Sequence, residues 1–208
     1  MVEDYISKKD RIISTSIDII CESGLSALTT KNIAIKENMS EALLYKYYGS
    51  VDEVLKDVVD YYFKFDKGIR ATVSSKESSC IDKIKTYVDS YATYYDNYYA
   101  LSVIMLQYEE LLHNPVTRDK VAEATLARRS FIEALFRKAI ENKEIKGDIP
   151  AEQLAVLLTG MIYQLTLGRR YVFKRETFQS ELNSYLERVI KVLTIDGLEV
   201  EVNEGFGC

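Results

Sequence analysis

The polar side chains that could do chemistry concentrate in one stretch, residues 29–48, which reads TTKNIAIKENMSEALLYKYY. Two hydroxyls, Thr29 and Ser40, stand where each can accept a hydrogen bond from an unpaired amide in the first turn of a helix. Tyr45, Lys46 and Tyr47 follow as a cluster of phenols around one ammonium, able to meet phosphate oxygens. Lys31 offers a second cation on the preceding segment. Glu41, Ala42 and Leu43 open the second segment: a carboxylate there can accept from cytosine N4, and Ala or Leu can touch a thymine methyl. This is the chemistry of hydrogen bonding to a polyanion.

The elements that must position these groups are two short helices joined by a tight turn, the layout of a helix-turn-helix. Thr29 caps the first, and Ile33 and Ala34 face inward from it, the small Ala allowing close packing. Asn38 sits at the turn, because Asn tolerates the left-handed conformation. Ser40 caps the second helix, Leu43 and Leu44 anchor it, and Tyr48 belongs to the core. Ser50, Val51, Asp52 and Glu53 have the S-x-x-E spacing of a capping box and start the next helix. The plainer reading, in which Thr29, Ser40 and Ser50 are helix caps and nothing more, stands beside the functional one.

Over roughly residues 8–60 the chain resembles the TetR family of transcriptional regulators. A first helix begins near Arg11 in RIISTSIDIICESG and ends at Gly24. The family's Thr/Ser followed by an Ile-Ala pair is matched by Thr29, Ile33 and Ala34. Its recognition-helix ending is matched by Tyr45, Lys46, Tyr47 and Tyr48. The resemblance implies that the helix ends at Thr29 and Ser40 face phosphate and that Tyr45 contacts it. It also implies a homodimer reading a palindromic operator on double-stranded DNA, with repressor as the family's default. The chain departs from the pattern at Asn38 (usually Gly), Tyr48 (usually Phe) and Val51 (often Lys), so no contact is carried over to Val51.

With 208 residues, 47% of them hydrophobic, and only two Pro and nine Gly, an all-α protein of about nine helices is expected. No apolar run is long enough to span a membrane, and the acidic start MVEDYISKKD is no secretory signal. Cys21, Cys80 and Cys208 are odd in number and widely spaced, giving neither a zinc pattern nor a disulfide framework. A cytoplasmic protein without cofactor, metal or catalytic residues is expected. The net charge of −5 argues against strong non-specific DNA binding. Specific binding needs only a local basic surface and should depend on backbone amides, hydroxyls and helix N-termini.

Helical spacing predicts helices near 5–23, 51–70, 80–96, 98–113, 116–143, 151–171 and 175–194, besides the two of the helix-turn-helix. Ile6, Ile13, Ile17 and Ile20 form the stripe of the first. The expected division is a DNA-binding head at 1–50, a body for effector binding and dimerisation at 51–195, and a frayed tail at 196–208. The helix at 151–171 is apolar on nearly every face and should therefore be buried all round. With 175–194 it suits a four-helix bundle between two subunits, with Ala155, Thr159 and Gly160 permitting close approach. Alternatively the pair forms the core of a monomer.

Sixteen Tyr and no Trp is an unusual aromatic content. Tyr87, Tyr91, Tyr94, Tyr95, Tyr98, Tyr99 and Tyr108 cluster in the helices after the connector, a composition suited to an amphipathic or aromatic ligand. The expected pocket residues are Tyr91, Tyr94, Tyr95, Tyr98 and Tyr108, with Tyr62, Phe65, Met105, Phe131 and Tyr163 on facing helices. Glu109 and Glu110 lie beside them, so an aromatic or cationic effector is expected. Taken singly, each Tyr is better explained as a core residue with its hydroxyl at the surface. His113, the only His, should meet free carbonyls at a helix end. The competing functional reading is a helical carrier or enzyme that keeps a vestigial head.

Overall fold

The computed structural model describes residues 7–172 and 176–194. Among these residues it is all-helical: α1 (Lys8–Ser23), α2 (Thr30–Lys36), α3 (Glu41–Leu44), α4 (Val51–Ser74), α5 (Cys80–Asn97), α6 (Tyr99–Ser102), α7 (Tyr108–His113), α8 (Arg118–Glu141), α9 (Ala151–Gly168) and α10 (Phe178–Thr194). Short 3₁₀ turns sit at Leu25–Ala27 and Val103–Gln107. The expected start of the first helix, including Ile6, and the expected tail at 196–208 lie outside the described residues.

Caps set the boundaries. Ser7, Thr29, Ser40, Ser50 and Ser79 each accept a hydrogen bond from the amide three residues on, satisfying a donor that no helical carbonyl can reach. At Ser50 the reciprocal bond of the capping box shifts by one residue, since Glu53 Oε2 accepts from the amide of Gly49 at 2.8 Å. Gly24 ends α1 at φ +83°, a conformation a side chain would strain.

Helix α1 buries Ile12, Ile13, Ile17, Ile19 and Ile20, a wider face than the expected stripe. It packs on α2 on one side and on α4, α6 and the 3₁₀ turn at 103–107 on the other, so one row of isoleucines cannot cover both contacts. Helix α5 lies inside the body between α4, α8 and α10, and α9 closes the body against α8 and α10. The buried apolar side chains form one connected cluster from Ile12 to Leu193.

Three expectations change. The single helix expected at 98–113 is three short pieces, because the run LSVIML has no helical period. Its Val103, Ile104 and Met105 lie buried in the 3₁₀ turn, against α1, α7 and α9, where a straight amphipathic helix would expose part of the run. Helix α9 is not buried all round within one chain: Val156, Leu157 and Tyr163 are exposed, Leu157 at 58%. Ala155 points inward and is fully buried, so only Gly160 and, in part, Thr159 of the three small residues lie on the outer face.

Candidate DNA-binding surface and body core

The turn between α2 and α3 is built as the residues require. Asn38 takes φ +52°, the amide of Met39 reaches the carbonyl of Ala34 at 2.9 Å, and that of Asn38 reaches Ile35 at 3.1 Å. These two bonds make a Schellman motif that reverses the chain within three residues. Ile33, Ala34, Leu44 and Tyr48 are buried beneath it, and the Tyr48 hydroxyl donates to Asp57 at 2.9 Å, tying the end of the unit to α4. Behind it, Glu37 accepts from Thr15 and pairs with Arg11 at 3.1 Å, while Lys36 pairs with Glu22 at 2.7 Å, fixing α2 on α1.

With that back locked, the other face is left open. Thr29, Lys31, Ser40, Glu41, Ala42, Leu43, Tyr45 and Lys46 are all exposed, and Tyr47 is half-buried. Tyr45 is 53% exposed, and neither Lys31 nor Lys46 is committed to an ion pair among the described residues. Glu41 is partly engaged: its Oε2 accepts from Thr30 at 2.8 Å, bridging the starts of the two helices. Leu43 is exposed rather than anchoring, which leaves the anchor to Leu44. Ile35, exposed at 67% on the outer side of α2, had no signal in the spacing, since it interrupts no apolar stripe.

In the body, the tyrosines converge on an ion pair. Asp66 of α4 and Arg128 of α8 are both buried, their side chains 1% and 5% exposed, with Arg128 Nε 3.0 Å from Asp66 Oδ1. Arg70 pairs with Asp66 Oδ2 at 2.9 Å, and the Tyr87 hydroxyl donates to Oδ1 at 2.6 Å. The Arg128 guanidinium lies 5.2 Å from the ring centre of Tyr91 and about as close to those of Tyr62 and Phe63. Tyr95 contacts Tyr91 and Tyr62, Tyr108 donates to Tyr62 at 3.2 Å, Tyr91 points its hydroxyl at the Met105 sulfur, and Phe131 packs on Tyr87. Burial holds the phenols of Tyr62, Tyr87, Tyr91, Tyr95 and Tyr108 above their usual range, so all remain hydroxyls at neutral pH.

Of the expected pocket residues, Tyr62, Tyr91, Tyr95, Met105, Tyr108 and Phe131 therefore belong to one cluster. Phe65 and Tyr98 are exposed, joined to it through Tyr94 by ring contacts of 4.0 and 4.9 Å. Tyr163 stands apart on the outer face of α9. Glu109 and Glu110 are exposed, with Glu109 beside His113, so neither is among the buried groups of the ring cluster. His113 Nδ1 donates to the Glu109 carbonyl, 2.8 Å away, as a residue at a helix end should.

Sequence reasoning missed Asp66 and Arg128, yet a signal was present. Val121, Arg128 and Leu135 recur every seven residues on the buried face of α8, and Asp66 lies four residues after Tyr62 on that of α4. A charge on an apolar stripe marks a buried pair. It also missed Arg170, just past α9. Its Nη2 donates to the carbonyl of Cys21 at 3.0 Å and its Nη1 to the Tyr99 hydroxyl at 3.3 Å, joining the end of α9 to the end of α1. Beside it, Arg169 donates to Asp96 at 3.1 Å, and Asp96 accepts the first amides of α10, from Phe178 and Gln179.

Among the described residues no helix is long and apolar enough to cross a membrane, and no group of His, Cys, Asp and Glu is placed to hold a metal ion. No family model matches the sequence, and no curated protein is significantly similar to it. Solved structures are similar in fold. The ketosteroid transcriptional regulator KstR2 of Mycobacterium tuberculosis superposes with a TM-score of 0.79 at 16% identity, over 91% of this chain and 96% of that one. The TetR family transcriptional regulator PfmR from Thermus thermophilus gives 0.74 at 18% identity, over 88% and 98%. The transcriptional regulator FadR from Bacillus subtilis, in complex with stearoyl-CoA, gives 0.70 at 16%, over 89% and 98%. The chain has the fold of TetR-family transcriptional regulators.

Proposed function

We propose that this protein is a cytoplasmic, homodimeric transcriptional regulator without catalytic activity. In this reading it is a repressor that binds a palindromic operator through residues 29–48 and is released when a small molecule occupies the body. The head spans 1–50 and the body 51–195. The observation that carries the reading is the division of residues 29–48. Every apolar position that fixes its shape is buried, while Thr29, Lys31, Ser40, Tyr45 and Lys46 are exposed around the start of α3. That surface pairs hydroxyls and two free cations with a helix start, which suits phosphate contacts on either side of a major groove. Ala42 and Leu43 then lie where base edges would be read, with Glu41 available once it leaves Thr30.

One such head buries too little surface for tight specific binding, so two must act together. Val156, Leu157, Gly160 and Tyr163 follow one another at helical spacing on the outside of α9, and Tyr185, Val189 and Val192 do so on α10. These two adjacent apolar stripes support a four-helix interface about a two-fold axis. FadR, a protein of the same fold, holds stearoyl-CoA. Together with the aromatic body core, that supports an amphipathic effector here.

The test is selection of duplexes from a random library at moderate salt, read by sequencing. A recovered palindrome is the expected result, with a half-site spacing that matches two heads on one dimer. A folded dimer that enriches no sequence overturns the reading.

A further inference from the structure

Four buried side-chain polar atoms among the described residues have no hydrogen-bond partner: Glu37 Oε2, Tyr94 Oη, Tyr95 Oη and Arg128 Nη2. Glu37 Oε2 still has its ion pair with Arg11. The other three belong to one chain of touching groups, with Tyr94 to Tyr95 at 5.1 Å, Tyr95 to Tyr91 at 4.5 Å, and the Arg128 guanidinium 5.2 Å from Tyr91. A guanidinium can only donate, and leaving one of its N–H groups dry and unpaired is costly. No acceptor among the described residues lies within hydrogen-bond reach of Arg128 Nη2. Asp66, the buried acid, already accepts from Tyr87 and Arg128 at one oxygen and from Arg70 at the other. The buried Arg128 thus shares its one carboxylate with Arg70, whose side chain is 21% exposed, and is only partly neutralised.

The missing partner is therefore an oxygen acceptor that brings negative charge. Tyr62, Tyr91 and Phe63 surround Arg128, and Tyr95 packs on Tyr62 and Tyr91, so whatever carries that acceptor must otherwise be apolar. Phe65, which stacks on Tyr94 at 4.0 Å, also lines a surface groove of about 490 Å³ with Ile69 and Val73. Lys64 and Lys76 line the same groove, a field that favours an approaching anion.

We propose that Arg128 Nη2 and the Tyr95 hydroxyl bind the carboxylate of an apolar acid that enters past the Phe65–Tyr94 stack. This names the chemical class of the effector in the regulator reading above, and rests on that reading only for the effect on DNA. The binding claim stands on the unpaired donors and on Asp66 already dividing its two oxygens among Tyr87, Arg128 and Arg70.

The absence of Trp makes tyrosine fluorescence a direct readout of this core. Full-length protein is titrated with three isosteric probes, 4-phenylbutanoate, 4-phenylbutylamine and 4-phenylbutan-1-ol, and in parallel with octanoate and octylamine. The carboxylates are expected to bind about tenfold or more tighter than the amines and the alcohol, because a charge-assisted hydrogen bond in a dry site is worth at least a decade. Tyr95→Phe should weaken the carboxylates several-fold without moving the alcohol. Arg128→Gln alone leaves Asp66 short of a donor and can unfold, so the paired variant Asp66→Asn/Arg128→Gln is used. It should abolish the preference for acid over alcohol. Equal binding of acid, amine and alcohol, no saturable response to either carboxylate, or a preference that survives the paired variant overturns the proposal. Adding the selected operator duplex separates the two claims. Acid preference with no operator binding sinks the regulator and keeps the site, while operator binding without acid preference does the reverse.

Discussion

The tyrosines of the head and those of the body are one residue type put to opposite uses. Tyr45 turns its phenol to water beside the exposed Lys46, while Tyr48, three residues on, buries its ring and sends its hydroxyl to Asp57. In the body, Tyr62, Tyr87, Tyr91 and Tyr95 are all but fully buried around a salt bridge. The head keeps its polar groups outside over an apolar back. The body keeps its polar groups inside and sheds an apolar face outward on α9 and α10. Polar groups left in water stay free to meet a hydrated partner, whereas polar groups held in a dry core gain strength from one another, since a low dielectric strengthens each charge.

The sharpest way to break this contrast is to remove one acid from each region. Asp66→Ala strands Arg128 in a ring of aromatics, and loss of one partner from a buried pair costs about 3–5 kcal/mol. Urea unfolding should show it as a large fall in midpoint. Glu41→Ala, which removes one exposed hydrogen bond to Thr30, should leave the midpoint almost unmoved. If the two acids cost the same, the body core is wetter than its geometry implies.

Next in size is the outward face of the body. Leu157→Glu with Val192→Glu puts charge into both exposed stripes. Central interface residues are worth about 2–4 kcal/mol, so sedimentation should show a dimer becoming a monomer that still melts cooperatively. A variant that stays dimeric would mean that the subunits meet elsewhere.

The head responds more mildly. Tyr45→Phe with Lys46→Ala should weaken operator binding by about 10–100-fold, from hydrogen bonds to charged oxygens worth about 1.5–3 kcal/mol each, with partial loss expected in water. The slope of log affinity against log salt should fall by about one for the lost lysine contact, with the melting curve unchanged. Unchanged affinity would return the head to a vestigial role.

How much of this was legible in the sequence follows the same contrast. The head was readable because its signals are local. Thr29, Asn38 and Ser40 each act on amides within three residues, and the caps and turn form where those side chains allow them. The body's helices were readable from their apolar period, but its chemistry was not. Arg128 and Asp66 are 62 residues apart and meet only through packing of α8 on α4. The surplus of tyrosine was visible, while its direction was not, because an aromatic stripe looks the same whether it lines a pocket or fills a core. Helix α9 shows the complementary limit. Its uniform apolarity fitted both a bundle between subunits and a monomer core, and the exposure of Val156, Leu157 and Tyr163 is visible only once the chain is folded.

The smallest expected effect bears on how the two regions communicate. Helix α4 is one connection, running unbroken from the capping box at Ser50 into the aromatic core. Arg170 is another. It ties the end of α9 to the carbonyl at the end of α1, and its neighbour Arg169 holds Asp96, which caps α10. These bonds join the α9–α10 pair to α1 without passing through α4. Arg170→Ala removes hydrogen bonds at a partly exposed site, worth about 1 kcal/mol of stability. Operator affinity of the free protein should barely change. Its reduction by saturating effector should shrink, because coupling of about 1–3 kcal/mol needs a connection that differs between the two states. Linkage then makes a second check available: operator DNA must weaken effector binding less in Arg170→Ala than in the unmodified protein, by the same factor. If both factors are untouched, α4 alone carries the signal and Arg170 only fastens the head to its body.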